Sequence, residues 1–342
     1  MEKLQKAFLK TINDLIVANP EQAEKIDITQ LIANVTPEAV DLIKGNLQKS
    51  TKKMLEEHRT LARGFEARNI KRWSKAFDLL ETHIVICTEA GEEFNASYRA
   101  TAVKNNDLVF DIVVRHHARA CHIAQEILHL LKSGFADAAH ARWRALHEVN
   151  ATAMFIAKHG QECAERFYFH DIVDSYDGML EHKKYEDRLQ EKAASREEID
   201  SCKLEYDKVI AHYGKKFGDH YGWASNIFPN HRRVGFTAIE KDVGLDHMRP
   251  YYKWASQNAH AGSKGMRSRL GLREAKEDIL LVGQSNSGMT DPAHATAISL
   301  CQITCALLAL EPTIDHIVLM KIMDDYQEDV GNAFLEIQRN DS

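Results

Sequence analysis

Residues 140–157, "HARWRALHEVNATAMFIA", decide the fold class. From Val149 to Ala157 there is no charged residue, and the apolar character runs around the whole circumference of a helix. Such a helix belongs at the centre of a bundle. Its first half carries Arg142, Arg144, His147 and Glu148. Arg144 and Glu148 are four apart and face each other on a helix. Burying charge is costly unless it is paired and hydrogen-bonded, so this pair on a central helix requires partners from elsewhere in the chain. The stretch therefore predicts a helical bundle whose middle helix holds a polar site.

The bulk composition agrees. The chain has 342 residues, 44% of them hydrophobic, with only 6 Pro and 17 Gly. That favours long helices over a turn-rich sheet protein. Lys and Arg total 44 against 50 Asp and Glu, a formal net charge of −6. This excludes coating of nucleic acid by bulk charge and leaves room for a local basic patch. None of the six cysteines stands in a Cys-x-x-Cys pair, so neither a zinc ribbon nor a thioredoxin-type motif is supported. Scattered cysteines suit a reducing cytosol. "MEKLQKAFLKTINDL" lacks the apolar core of a signal peptide. Residues 292–310 have no Asp, Glu, Lys or Arg, yet His294, Ser299 and Gln302 mark them as a buried core helix rather than a membrane span. The expectation is a cytoplasmic protein with no membrane contact.

Along the chain the period is helical nearly everywhere. The expected architecture is all-α, a multi-helix bundle with a charged helical arm. It divides into an N-terminal helical segment (1–60), the main bundle (61–335) and a tail (336–342). Leu4, Phe8, Ile12, Leu15 and Ile16 form one apolar face, ended by Pro20, and Thr36-Pro37 reads as N-cap and N1 of the next helix. A helix over 106–132 is closed by Ser133-Gly134, and the next runs from Asp137 to Gly160. Half of residues 181–216 are charged, with a capping box at Ser195-x-x-Glu198. That arm is a solvated surface or a homo-oligomer contact. Residues 218–247 are the least regular. Pro250 opens a helix that Gly262 closes.

Glu126-x-x-His129, Asp137-x-x-His140 and Asp291-x-x-His294 have the spacing of di-iron bundles, but composition alone produces about as many such pairs. His122, Glu126 and His129 share a face and make the best metal set; ordinary core or surface histidines outweigh it, and no metal and no cofactor is expected. The Arg-x(4–6)-His signature of HEPN-type helical ribonucleases occurs at Arg115/His122 and Arg142/His147, again no oftener than composition predicts. At about 100° per residue, Arg142 and His147 point apart. Tyr252, Ser256 and His260 lie at i, i+4 and i+8 and line one helical face with hydrogen-bonding groups. Lys264, Arg267, Arg269 and Arg273 follow as a basic loop, which is no P-loop but could hold phosphates.

Together "RALHE" (144–148) and "YKWASQNAH" (252–260) resemble an uncharacterised helical bacterial family, a domain of unknown function with an Arg-x-x-x-Glu and, about a hundred residues on, a Tyr-x-x-x-Ser-x-x-x-His. The resemblance spans roughly residues 65–310. By looser analogy to HEPN and abortive-infection proteins it implies a part in phage defence. Two functions follow as expectations. In the first, a metal-independent endoribonuclease or toxin, His260 is general acid or base and Arg144 stabilises phosphorane charge. Glu148 orients Arg144 or His260, Tyr252 and Ser256 complete the site, and Lys264, Arg267 and Arg269 hold RNA. In the second, the same cluster is a non-catalytic binding module for a ligand or protein.

Overall fold

The computed structural model describes residues 2–18, 20 and 27–340. Among them 82% are helical and none forms a strand. Residues 341 and 342 of the expected tail, and the Leu15 side chain of the N-terminal apolar face, lie outside the described residues. The chain divides into two compact units, residues 1–63 and 64–342.

The first unit contains α1 (Glu2–Ala18) and the start of α2 (Ile28–Arg72). Helix α2 begins earlier than the Thr36-Pro37 reading predicts. Asp27 is the cap, its carboxylate accepting the Gln30 N–H at 3.0 Å, and Pro37 lies inside the helix. Asp is as good a cap as Thr. The Thr36 hydroxyl instead donates back to the Ile32 carbonyl at 2.6 Å.

The second unit is a bundle of α3 (Ser74–Asn105), α4 (Leu108–Lys132), α5 (Ala136–Phe169), α11 (Thr290–Leu308) and α12 (Ile314–Asn340). Asp107 caps α4 by accepting the Phe110 N–H at 2.9 Å. The buried Asn69 amide closes its other end, donating to the Leu131 and Lys132 carbonyls at 2.9 Å each. Helix α5 is central, packing against α4 and α11 on one side and against α8 (Phe236–Asp242) and α9 (Arg249–Ala259) on another. Trp143, Leu146, Ala151, Ala153, Phe155 and Ile156 are fully buried. Gly160, the expected end of this helix, does leave helical geometry (φ +74°, ψ −159°), but the chain resumes the helix to Phe169.

The charged arm is a hairpin of α6 (Asp171–Leu189) and α7 (Arg196–Tyr213), with both halves of the Ser195/Glu198 capping box formed. The apolar segment near 292–310 is α11, buried in the bundle. No described helix is long and apolar enough to cross a membrane. Asp291 lies in the first turn of α11, where Pro292 loses no intrahelical bond.

Candidate functional site

Helix α9 starts with Pro250 in its first turn, which presets the helical φ and directs Tyr252 inward onto α5. Tyr252 is 8% exposed. Its hydroxyl accepts from the Arg144 guanidinium at 2.9 Å and donates to the Glu148 carboxylate in a short hydrogen bond. Arg144 and Glu148 pair directly at 3.1 Å, and the guanidinium also lies over the Tyr252 ring at 5.0 Å. The three groups form a closed triangle. The Arg144 and Glu148 side chains keep 30% and 35% exposure, so the pair is half-buried and open to solvent on one edge, not mostly buried as its place on a central helix predicts. The apolar segment that dictates burial starts one residue after Glu148.

Behind this triangle lies a second, dry network. His147 and Glu240, both fully buried, meet at 2.8 Å from Nε2 to Oε1. A carboxylate only accepts, so Nε2–H donates. The Arg249 guanidinium pairs with the other Glu240 oxygen and lies against the Tyr252 ring at 4.9 Å and the Phe236 ring at 5.5 Å. Tyr252 thus contacts both arginines and links the two networks.

The electrostatics follow from burial and neighbours. Burial, then the hydrogen bond to Glu148, pushes the Tyr252 phenol up to about 12. Burial and the Glu148 charge push Tyr221 up to about 12. Both phenols are therefore protonated donors at neutral pH. Burial opposes the Arg144 charge, but its bond to Tyr252 and the Glu148 carboxylate outweigh this and raise its pKa. Burial lowers the His147 pKa against the opposing pull of Glu240, leaving the ring neutral.

The rest of the expected constellation does not converge. The Ser256 hydroxyl donates to the Tyr252 carbonyl at 2.8 Å, inside its own helix. His260 follows the last helical residue, Ala259, with extended backbone (φ −118°, ψ 148°) and is exposed, so the i, i+4, i+8 stripe ends before reaching it. No hydrogen bond or ion pair joins its ring to Arg144 or Glu148 among the described residues. Lys264 and Arg267 are on the short helix α10 (Ser263–Arg267), which packs on α9, and Arg269 follows. All three are exposed and make no ion pair among the described residues. Arg273 differs: it pairs with Asp291 at 2.7 Å and covers the Trp254 ring.

The other spacings separate. Arg142 pairs with Glu126 while His147 faces Glu240; Arg115 pairs with Asp111 at 2.8 Å, and His122 with Glu126 at 3.4 Å. His129 bonds its own helix at Gln125 O. Asp137 accepts the Leu270 and Gly271 N–H groups. Among the described residues no group of three or more His, Cys, Asp and Glu side chains is placed to hold a metal. A cleft of about 740 Å³, lined by Phe65, Arg68, Glu274, Leu281 and Gln284 among others, does not include the Arg144 triangle.

Glu240, Arg249 and Tyr221 complete the site and carry no signal in the sequence. Glu240 and Tyr221 lie in the irregular 218–247 stretch, where no period marks a face, and Arg249 is hidden beside Pro250.

Residues 110–278 match the model of a family of unknown function (DUF5677). The matched segment holds both motifs, Arg144 to Glu148 and Tyr252 to His260, and is shorter at both ends than the 65–310 they suggest. No curated protein and no solved structure matches the chain.

Proposed function

We propose that the chain is a non-catalytic binding module for single-stranded RNA. The observation that carries this is the separation of the two expected halves of the site. Arg144, Glu148 and Tyr252 are hydrogen-bonded together, while His260 is outside the triangle. Acid–base cleavage needs the proton-moving group within hydrogen-bond reach of the proton it transfers, on the same phosphodiester whose charge the arginine stabilises. Binding has no such requirement. The half-exposed triangle offers Arg144 as donor beside Glu148 as acceptor, a pairing suited to the mixed donor and acceptor edges of an unstacked base. Lys264, Arg267 and Arg269, held on the segment after α9, supply backbone attraction despite the net negative chain. The six free thiols suit action in the cytoplasm. Leu180, Leu189 and Leu204, exposed on the α6–α7 arm, suit self-association there.

One observation favours the second reading, a ribonuclease acting in phage defence or as a toxin: His260 stands just ahead of those three exposed cations. RNA incubated with wild type and His260→Ala, both in EDTA, separates the readings. Binding without cleavage in either protein is the expected result. Cleavage by wild type that His260→Ala abolishes establishes the nuclease instead.

A further inference from the structure

Cys301 and Cys305 stand one turn apart on α11 with their Sγ atoms 3.9 Å apart. Cys301 is 4% exposed and Cys305 is half-buried, so the pair has one solvent-facing edge. Two more soft donors lie behind it, where α3 and α12 pack on α11. The Cys87 thiol donates to the Met323 thioether at 3.6 Å, and both side chains are fully buried. The Cys87 thiol is close enough to interact electrostatically with both Cys301 and Cys305.

We propose that Cys301 and Cys305 bind one Cu(I) ion, with the Cys87–Met323 sulfurs as its inner wall. The geometry selects an ion over a disulfide. A disulfide needs Cβ atoms about 3.5–4.5 Å apart. Residues four apart on a helix hold theirs at about 5–6 Å, so direct oxidation requires α11 to unwind. A bridging ion does not. Two metal–sulfur bonds of about 2.3 Å across that gap enclose an angle of about 115°, close to trigonal. Thiolate and thioether donors select Cu(I), whereas a structural zinc site asks for four ligands and only two thiols converge here. Binding displaces one proton from each thiol and forms two Cu–S bonds, with copper remaining Cu(I) and no electron transferred. Cys305 is the more exposed of the two thiols, so it captures the ion first from its solvent-facing edge. Asp324 is the acidic neighbour of the pair, and Lys321 at 2.9 Å offsets it. Cys301-x-x-x-Cys305 on a helix is neither a carboxylate–histidine spacing nor a Cys-x-x-Cys pair, so it carries no metal signal in the sequence.

The test is an anaerobic titration of reduced full-length protein into the coloured Cu(I)–bicinchoninate complex. Wild type and Cys202→Ser should each withdraw one equivalent of copper, and Cys305→Ser none. Alkylation mapped by mass spectrometry gives a second readout on wild type alone: Cu(I) should protect Cys305 and leave Cys202 reactive. Failure of wild type to withdraw copper, equal withdrawal by Cys305→Ser, or protection of Cys202 in place of Cys305 each overturns the proposal.

Discussion

Glu148 and Glu240 pair with arginines a few ångströms apart in the same region, yet the two carboxylates do different work. Glu240 has no exposed surface and holds both Arg249 and His147. Glu240→Gln leaves a buried guanidinium without a counter-charge, and breaking a buried pair of this kind costs about 3–5 kcal/mol. Glu148 is one-third exposed, and solvent can replace its part of the pairing, so Glu148→Gln should cost about 1 kcal/mol or less. Urea unfolding of the two variants checks this; equal losses would show that the triangle is as dry as the network behind it. His260→Ala, which removes an exposed ring, should stay within about 0.5 kcal/mol of wild type. The contact of Arg144 with Glu148 was legible because spacing alone brings them together. The contact of Tyr252 with both was legible only as a demand for partners. Glu240 was not, because residues 218–247 fold through short turns whose side-chain directions no periodicity encodes.

At the scale of elements, the long, strongly periodic helices were readable and their ends less so. Pro37 and Gly160 are each strong local signals: Pro37 nevertheless lies inside α2, while Gly160 does break helical geometry before the chain resumes as helix to Phe169. His260 shows the converse error: extending a helical stripe one turn too far puts an exposed residue on a buried face. The placement of α10 depends on a glycine. A Cβ at Gly265 would come 2.2 Å from the Gln257 carbonyl oxygen, so Gly265→Ala must push α10 off α9 and displace Lys264 and Arg267. This variant should weaken RNA binding while leaving the bundle folded, measured by anisotropy beside far-UV circular dichroism. Unchanged affinity would show that the cations do not need that fixed position. At Gly91 a Cβ would sit 2.1 Å from the buried His117 ring, in the core rather than at the surface, and Gly91→Ala should cost about 1–3 kcal/mol of global stability.

For the whole molecule, the buried histidines set the acid limit. Burial lowers His83, His117 and His140 from 6.5 to about 4 each, and lowers His147 in the same direction. Between those values the unfolded chain binds protons that the folded chain does not. Stability is therefore complete above about pH 6.5 and falls as pH drops towards 4. Each of the first three sites contributes about 3 kcal/mol of loss over that range, together comparable with a domain's whole stability. An acid titration followed by circular dichroism should show cooperative unfolding in this window. His140→Phe, which keeps an aromatic ring between Trp143 and Trp254, should move the midpoint to lower pH. The central claim, that this bundle binds RNA through an arginine–glutamate–tyrosine triangle and an exposed cationic segment, rests on one measurement above others. It is the salt dependence of affinity for a labelled single-stranded RNA, for wild type, Arg144→Ala and the Lys264/Arg267/Arg269 triple alanine variant. Each lost phosphate contact lowers the log–log salt slope by about 0.7 on single strands, so the triple variant should lose about 2 units of slope. Arg144→Ala should weaken binding with a smaller change in slope. A wild type that binds no RNA, or a triple variant with an unchanged slope, would contradict the account.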